Sequence, residues 1–272
     1  MHFLIATDGD ESSERALQVG AQLSRTAASS VTILTVIGHE DDRPNAEAIL
    51  TQALPVITPA AKEVISKVRV GEVVDEIARE AEAEDYDLLI IGSRPVHGFL
   101  GRLLGPTSEK IMAHSPHPVL IAKGENRPIH KILLCSSGSY GYDSPSNTMA
   151  RLRPIFPGTA LTLLHVMSQI SATPDTSQGW QLEADADELI AQNTPEGQFL
   201  EERAEFLQQA GFTVTAKVRH GLVVDEILQE LQCGDYDLVV IGAHETTGWR
   251  RYLLDDVAHQ IIIQADRSVL VV

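Results

Sequence analysis

Short apolar runs alternate along the chain with segments whose apolar residues recur at helical spacing. In the first half, the runs that predict strands are HFLIAT (2–7), VTILTV (31–36), YDLLII (86–91) and PVLIA (118–122), and HFLIAT is typical of a strand buried on both faces. VISKVRV (64–70) alternates between apolar and polar residues and predicts the third of five strands. The segment between the first two predicts a helix that Asp10 or Ser12 can cap. One face of that helix carries Ala16, Leu17, Gly20, Leu23 and Ala27. Strands and helices that alternate in this way predict an α/β fold, with a five-stranded, Rossmann-like parallel sheet covered by helices on both faces.

The same pattern occurs twice in the chain. GEVVDEIAREAEAEDYDLLIIG (71–92) and GLVVDEILQELQCGDYDLVVIG (221–242) are identical at 13 of 22 positions. The offset between matching segments is 129 at the openings, HFLIATDG and KILLCSSG, and grows to 150 at this pair. We therefore predict two domains with the same fold, 1–125 and 126–272. Their final strands, PVLIA and SVLVV, would be exposed edges if unpaired, so we expect them to pair and to join the domains as an internal pseudo-dimer.

The extra residues of the second half fall in an acidic insertion, 168–196, which has six acidic residues and no Lys or Arg. Within it, WQLEADADELIAQ (180–192) predicts a short amphipathic helix that could cover the cleft of the second half. Its apolar anchors would be Trp180, Leu182, Leu189 and Ile190. An acidic loop without regular structure is the alternative.

Composition limits the classes of partner. The net charge of −17 over 272 residues repels phosphate backbones, so we expect no nucleic-acid partner. No apolar run approaches the roughly 20 residues of a membrane span, and the start of the sequence does not resemble a signal peptide. These features predict a cytoplasmic protein with no membrane partner. Cys135 and Cys233 both lie in apolar segments, which predicts two buried free thiols.

Candidate site residues follow the predicted strands. In parallel sheets, ligands bind beyond the carboxyl ends of the strands, where the strand order reverses. Asp8 follows the first strand, Val36 ends the second, Gly71 follows the third and Gly92 follows the fourth, so we expect all four at this edge. Asp8 could accept a hydrogen bond from a ribose hydroxyl, with backbone near Val36 facing an adenine. Helix capping is the alternative role for Asp8.

The loop GSRPVHGFLGRLLGPTSEK (92–110) has the composition of a phosphate-binding loop. Its glycines would let the backbone approach a ligand, and a helix predicted to start near Thr107 would offer free amides to an anion. Ser93, Thr107 and Ser108 could add hydroxyl donors, and Arg94 or Arg102 a positive charge. A glycine-rich turn that only links two elements is the alternative.

These residues carry a family resemblance. ATDGDESSERAL (6–17) and IGSRPVHGFLGRLLGPTSEKIMAHSPHPVLI (91–121) resemble the opening signature and the nucleotide loop of universal stress proteins. The resemblance covers both halves and implies a tandem of two such domains, whose fold is of the adenine nucleotide alpha hydrolase type. It implies a site for ATP or another adenine nucleotide in the first half, with Mg²⁺ as an optional companion. The candidate site residues are Ala6, Thr7, Asp8, Val36, Gly71, Gly92, Ser93, Arg94, Gly98, Gly105, Thr107 and Ser108.

The loop departs from the motif of the ATP-binding members of that family, Gly-x-x-Gly, nine residues, then Gly and Ser or Thr. Pro95 replaces the second glycine and Pro106 the hydroxyl residue, and each proline removes an amide donor. Thr107 and Ser108 follow at once and could substitute.

The second half departs further from the motif. It keeps Gly242 but has Glu245, Asp255 and Asp256 at the other motif positions, and Ser137 replaces the acid after the first strand. Each carboxylate near a phosphate would cost on the order of 1–4 kcal/mol. We therefore expect at most one nucleotide per chain.

The predicted function is a stress-response sensor or interaction module with protein partners that the sequence does not name. No residue set suggests fast phosphoryl transfer, which needs a positioned nucleophile and a cationic clamp. Two alternatives stay open: a slow ATPase in which Asp8 places a metal or water, and a nucleotide-free scaffold, which Pro95 and Pro106 favour. Homodimer formation is open as well.

Overall fold

The computed structural model describes residues 1–93, 96–98, 101–103, 110–112, 115–136, 144–168, 184–242 and 256–272. By its internal contacts the chain divides into two compact units. The first unit contains Met1–Pro128 and Asp266–Val271, and the second contains Ile129–Gly242 and Asp256–Ala265. The predicted boundary between residues 125 and 126 stays a prediction.

The first unit has a parallel sheet covered by helices. Its first four strands are β1 (His2–Ala6), β2 (Ser30–Ile37), β3 (Glu63–Val70) and β4 (Leu88–Gly92). Two short strands, β5 (Val96–Gly98) and β6 (Gly101–Leu103), pair antiparallel with each other, and β7 (Val119–Ala122) completes the parallel set. The helices are α1 (Glu11–Ala27), α2 (Arg43–Ile57) and α3 (Val73–Ala83), with a 3₁₀ turn at Glu40–Asp42.

The order of the parallel strands, β7-β4-β1-β2-β3, places the switch point between β1 and β4. From β1 the chain moves outward through β2 to β3, then returns to β4 on the other side of β1. The five predicted strands are confirmed as the parallel sheet of this unit. The β5–β6 hairpin was not predicted, because a glycine-rich segment of three-residue strands has no apolar alternation to reveal it.

Helix α1 begins where the sequence predicted. Asp10 is its N-cap and accepts a hydrogen bond from the Ser13 amide at 2.9 Å, so of the two predicted caps the structure selects Asp10. Of the predicted apolar face, Ala27 alone is partly exposed. The other members, Ala16, Leu17, Gly20 and Leu23, are buried. The predicted amphipathic helix is therefore confirmed.

The second unit repeats this arrangement with the strands β8 (Lys131–Ser136), β9 (Ala160–Met167), β10 (Thr213–His220) and β11 (Leu238–Ile241). Their order in the sheet is β10-β9-β8-β11. The helices are Pro145–Leu152, Ala186–Ala191, Pro195–Gln209, Val223–Cys233 and Asp256–Gln264, with a 3₁₀ turn at Arg153–Ile155. The pairing register of β2 with β3 matches that of β9 with β10. Lys67 pairs with Leu34 in the first unit, and Lys217 pairs with Leu164 in the second.

The last strand of the chain, β12 (Ser268–Val271), belongs by its contacts to the first unit. It pairs antiparallel with β7, with Leu270 opposite Leu120. The predicted pairing of the two final strands is thus confirmed. The pseudo-dimer packing as a whole stays a prediction.

Two further predictions have mixed outcomes. In the acidic insertion, residues 169–183, which include Trp180 and Leu182, lie outside the described part of the chain. The helix Ala186–Ala191 begins there with a capping box between Asp185 and Glu188, and Leu189 is fully buried. The prediction of two buried thiols is wrong for Cys233, which is exposed at the last residue of its helix. Cys135 as a whole residue is partly exposed, although burial raises the pKa of its thiol.

Candidate functional site

The turn between β1 and α1 lies at the switch point and is held by its own side chains. The Thr7 hydroxyl donates to Ser13 Oγ at 3.1 Å and accepts from the Gly9 amide at 3.2 Å. Thr7 is only 5 % exposed. Its hydroxyl is therefore used in building the turn, so a ligand here would meet the backbone of the turn and the side chain that follows.

That following side chain, Asp8, is exposed. Its Oδ1 accepts from the Asp10 amide at 3.2 Å, and its own amide donates to Ser13 Oγ at 3.4 Å. The first bond holds the carboxylate, and the second holds the backbone, at the carboxyl end of β1. Asp10, not Asp8, is the N-cap of α1, but the Asp8 carboxylate accepts the amide of that N-cap residue and so takes part in the turn before the helix.

The neighbouring strand ends form the rest of this edge. Ala6 pairs with Leu34 of β2, and the Thr7 amide donates to the Leu34 carbonyl at 2.9 Å. Val36 is therefore one strand away, and its side chain is partly exposed. Two residues further on, Gly38 is exposed, and a Cβ there would have no neighbour within 4 Å among the residues that the structure describes. The described part of this edge therefore has an exposed carboxylate at Asp8 and exposed backbone at Gly38.

Gly71 lies at the same edge of the sheet, but the backbone geometry itself requires a glycine at this position. Its amide donates to the Ile37 carbonyl at 2.9 Å, and its φ is +155°. A Cβ at this position would lie 2.8 Å from Glu76 Oε1. The matching Gly221 has φ +151°, with Glu226 Oε1 at 2.6 Å. The strand-to-helix turn therefore requires glycine in both units, whether or not a ligand binds.

Gly92 at the end of β4 is also fixed by packing. A Cβ there would lie 2.2 Å from the Ser12 carbonyl oxygen and 2.7 Å from the Ser13 amide nitrogen. Ser93 is buried, and its amide donates to the Ala122 carbonyl at 3.2 Å. The absence of a side chain at Gly92 thus lets β4 pack closely against the start of α1.

Much of the predicted phosphate loop lies outside the described residues. Gly98 is the last residue of β5, in the β5–β6 hairpin. Arg102 is the middle residue of β6. Of the loop residues named from the sequence, Arg94, Pro95, Gly105, Pro106, Thr107 and Ser108 are outside the description. So are Ser137, Glu245 and Asp255 of the second half, while Asp256 starts the helix Asp256–Gln264. Their predicted roles stay predictions.

Comparison with known proteins decides the family. The model of the universal stress protein family matches residues 1–123 and again residues 155–272. The chain belongs to the universal stress protein family. The resemblance noted in the sequence is thereby confirmed, and so is the tandem arrangement.

Similar proteins agree with this assignment. A universal stress protein of Mycolicibacterium smegmatis is 22 % identical over 307 aligned residues, covering 99 % of this chain and 96 % of that protein. A universal stress protein of Archaeoglobus fulgidus has a TM-score of 0.74 at 19 % identity, covering 99 % of this chain and 97 % of the other. A solved universal stress protein in complex with cAMP covers 47 % of this chain and 98 % of its own, at 26 % identity and a TM-score of 0.40. Among the described helices of this universal stress protein, none has the length and apolar character to cross a membrane.

A second polar cluster of the universal stress protein, between β3 and α3, was missed by sequence reasoning. Glu80, only 1 % exposed at its side chain, accepts from Lys67 Nζ at 2.7 Å and from the Tyr86 hydroxyl at 2.8 Å. Arg69 NH2 lies 2.6 Å from the other Glu80 oxygen, and Glu84 gives Lys67 a second carboxylate at 2.5 Å. Burial acts to raise the pKa of Glu80, but these hydrogen bonds outweigh it and hold that pKa below its ordinary value.

The second unit repeats the cluster at the same offset of 150. Glu230 accepts from Lys217 Nζ at 2.7 Å, from Arg219 NH1 at 3.0 Å and from the Tyr236 hydroxyl at 2.7 Å. The available signal was the identity of these residues in both halves. The helix pattern alone made acidic residues in α3 look like capping and surface groups, a role that Glu72 does fill as its N-cap.

Proposed function

We propose that this universal stress protein binds an adenine nucleotide in its first unit and acts as a stress-response sensor or interaction module. One observation carries the proposal: the exposed Asp8 carboxylate is fixed at the switch point of the first sheet, where a parallel α/β sheet offers its ligand site. A cytoplasmic location belongs to the same proposal and rests on the family alone.

The chemistry of the edge fits the nucleoside part of the ligand. A fixed carboxylate can accept hydrogen bonds from the vicinal hydroxyls of a ribose. The partly exposed Val36 and the open backbone at Gly38 provide an apolar and hydrogen-bonding wall for a purine one strand away. The phosphate side rests on Thr107 and Ser108 as sequence candidates, because Pro95 and Pro106 cannot donate.

The nucleotide is proposed for the first unit only. In the second unit, Lys131–Ser136 is followed by Ser137 rather than an acid, and carboxylates replace the phosphate-loop residues. We expect calorimetry with ATP to give at most one site per chain. Two equivalent sites would contradict the proposal for the second unit.

The first test identifies the ligand. Small molecules released from the purified protein by denaturation are identified by mass spectrometry, and ATP, AMP and adenosine are then titrated. An adenine compound released in near-stoichiometric amount, or a saturable ATP isotherm, supports the proposal. If none of the three binds at millimolar concentration, the nucleotide-free scaffold is the better description.

The second test separates the ligand role of Asp8 from the structure of the turn. Asp8→Ala should lower the affinity for ATP by roughly ten- to hundred-fold, which corresponds to the loss of one hydrogen bond to a charged group. Asp10→Ala is the matched control, since it removes the α1 cap and should lower the free energy of unfolding by about 1 kcal/mol. Equal ATP affinity for the wild type and Asp8→Ala would refute the ribose role.

A further inference from the structure

The second unit contains a cavity of about 330 Å³ at its own polar cluster. It is lined by Lys131, Thr162, Thr215, Lys217, Arg219, Glu230, Cys233, Gly234 and Tyr236. Lys131 is the first residue of β8 and Tyr236 precedes β11, so the cavity is at the amino ends of these strands. It is therefore distinct from the carboxyl edge of the sheet, where the nucleotide proposal applies to the first unit.

The first unit shows what this position can hold. There Lys67 has two carboxylates within 2.7 Å, from Glu80 and from Glu84. At the offset of 150, Glu230 matches Glu80, but Gly234 stands where the first unit has Glu84. Lys217 is accordingly more open than its counterpart, with a side chain 44 % exposed against 29 % for Lys67.

The backbone conformation at Gly234 leaves no room for a side chain at this position. Glu84 is extended, with φ −140° and ψ 154°, whereas Gly234 keeps a helical conformation, with φ −97° and ψ −1°. A Cβ on Gly234 would lie 2.0 Å from a ring carbon of Tyr236. The second unit has thus lost the carboxylate and cannot regain one at this position without moving the buried tyrosine.

A second cation faces the same space. Lys131 occupies the place of His2, as shown by the equivalent bonds from their amides to Asp237 and Asp87 at 2.9 and 2.8 Å. Its Nζ donates to the Gly234 carbonyl at 2.6 Å and lies 4.6 Å from the centre of the Tyr236 ring. Two ammonium groups therefore border a cavity from which the carboxylate of the first unit is missing.

We propose that this cavity binds a small carboxylate from solution, in the place that the Glu84 carboxylate takes in the first unit. Its volume corresponds to about ten water molecules, which suits a compound of a few carbon atoms. Lys217 and Lys131 supply charge-assisted hydrogen bonds to the carboxylate, and Thr162 and Thr215 border it with hydroxyls. The exposed Cys233 thiol on the wall reports on occupancy.

The test compares two alkylating reagents of similar size at Cys233, iodoacetate with its carboxylate and neutral iodoacetamide. In both, the thiolate sulfur forms a bond to the methylene carbon while iodide leaves and the thiol proton goes to solvent. The rate of each reaction is followed by mass spectrometry of the peptide containing Cys233. We expect the iodoacetate-to-iodoacetamide rate ratio to exceed that of N-acetylcysteine at least about five-fold, which corresponds to one effective ion pair.

Matched variants locate the effect. Lys131→Gln and, separately, Lys217→Gln should return the ratio towards that of N-acetylcysteine. Lys62→Gln, an exposed lysine of the first unit, changes the net charge equally and should leave the ratio unchanged. On the unmutated protein, succinate should slow alkylation by iodoacetamide, while sodium chloride at the same ionic strength should not.

Three results would overturn the proposal. These are a wild-type ratio equal to that of N-acetylcysteine, a ratio that survives both cavity variants, and protection by chloride equal to that by succinate. Protection by inorganic phosphate as strong as that by succinate would refute the assignment to carboxylates in particular.

Discussion

The packing of Gly92 against α1 gives a sharp prediction about a residue of the predicted nucleotide loop. In Gly92→Ala, the new methyl carbon would lie 2.2 Å from the Ser12 carbonyl oxygen, more than 1 Å inside ordinary contact. Backbone atoms of a helix cannot rotate away as a side-chain tip can, so α1 or β4 must shift. Overpacking of this kind costs about 1–3 kcal/mol, partly offset by the 0.4–1 kcal/mol that alanine gains in the unfolded chain.

The repeat supplies the control. Gly242 is the counterpart of Gly92, and among the described residues its added methyl carbon would meet only the Pro145 ring, at 3.2 Å. We therefore expect the free energy of unfolding of Gly242→Ala to stay within about 1 kcal/mol of that of the wild type. Urea denaturation followed by circular dichroism measures both variants. If Gly92→Ala is as stable as Gly242→Ala but no longer binds ATP, the glycine is needed for ligand binding and the packing argument is wrong.

The buried carboxylates and the capping box give two further predictions. Because the folded pKa of Glu80 lies below its unfolded value of 4.5, its stabilisation is present above that pH and is lost as the pH falls through the folded value. Urea midpoints for Glu80→Gln should therefore fall less between pH 5 and pH 3 than those of the wild type. Asp185→Ala removes the capping box of Ala186–Ala191 and should cost about 1 kcal/mol, seen as faster hydrogen exchange in that helix, with Asp187→Ala as the control.

Much of this architecture follows from local features of the sequence. The buried strands are continuous apolar runs, the helices have an apolar face, and Asp10 is a short acidic side chain before that face. These signals depend on neighbours a few residues away, so the chain alone specifies them. The repeat and the family motifs likewise predicted the tandem domains and placed Asp8 and Val36 at one edge.

The tertiary structure decided what each conspicuous residue does within that frame. Gly92, predicted as a point of ligand approach, is required by the backbone of α1 packed against β4. Thr7, predicted as a ligand contact, uses its hydroxyl within the turn. Such roles depend on atoms that come together only when strand and helix pack, and no local pattern records that distance.

Charge pairing depended on the fold most of all. Glu80 and Glu230 look like solvated helix residues, yet both are buried, because strand register and helix rotation bring them to Lys67 and Lys217. The exchange of one glutamate for Gly234 has no meaning in the sequence alone. In the folded protein, a lysine from each of two separate strands lies beside the missing side chain, so the exchange leaves a cationic cavity. A carboxylate, or its absence, acts only through the charges that packing brings within a few ångströms.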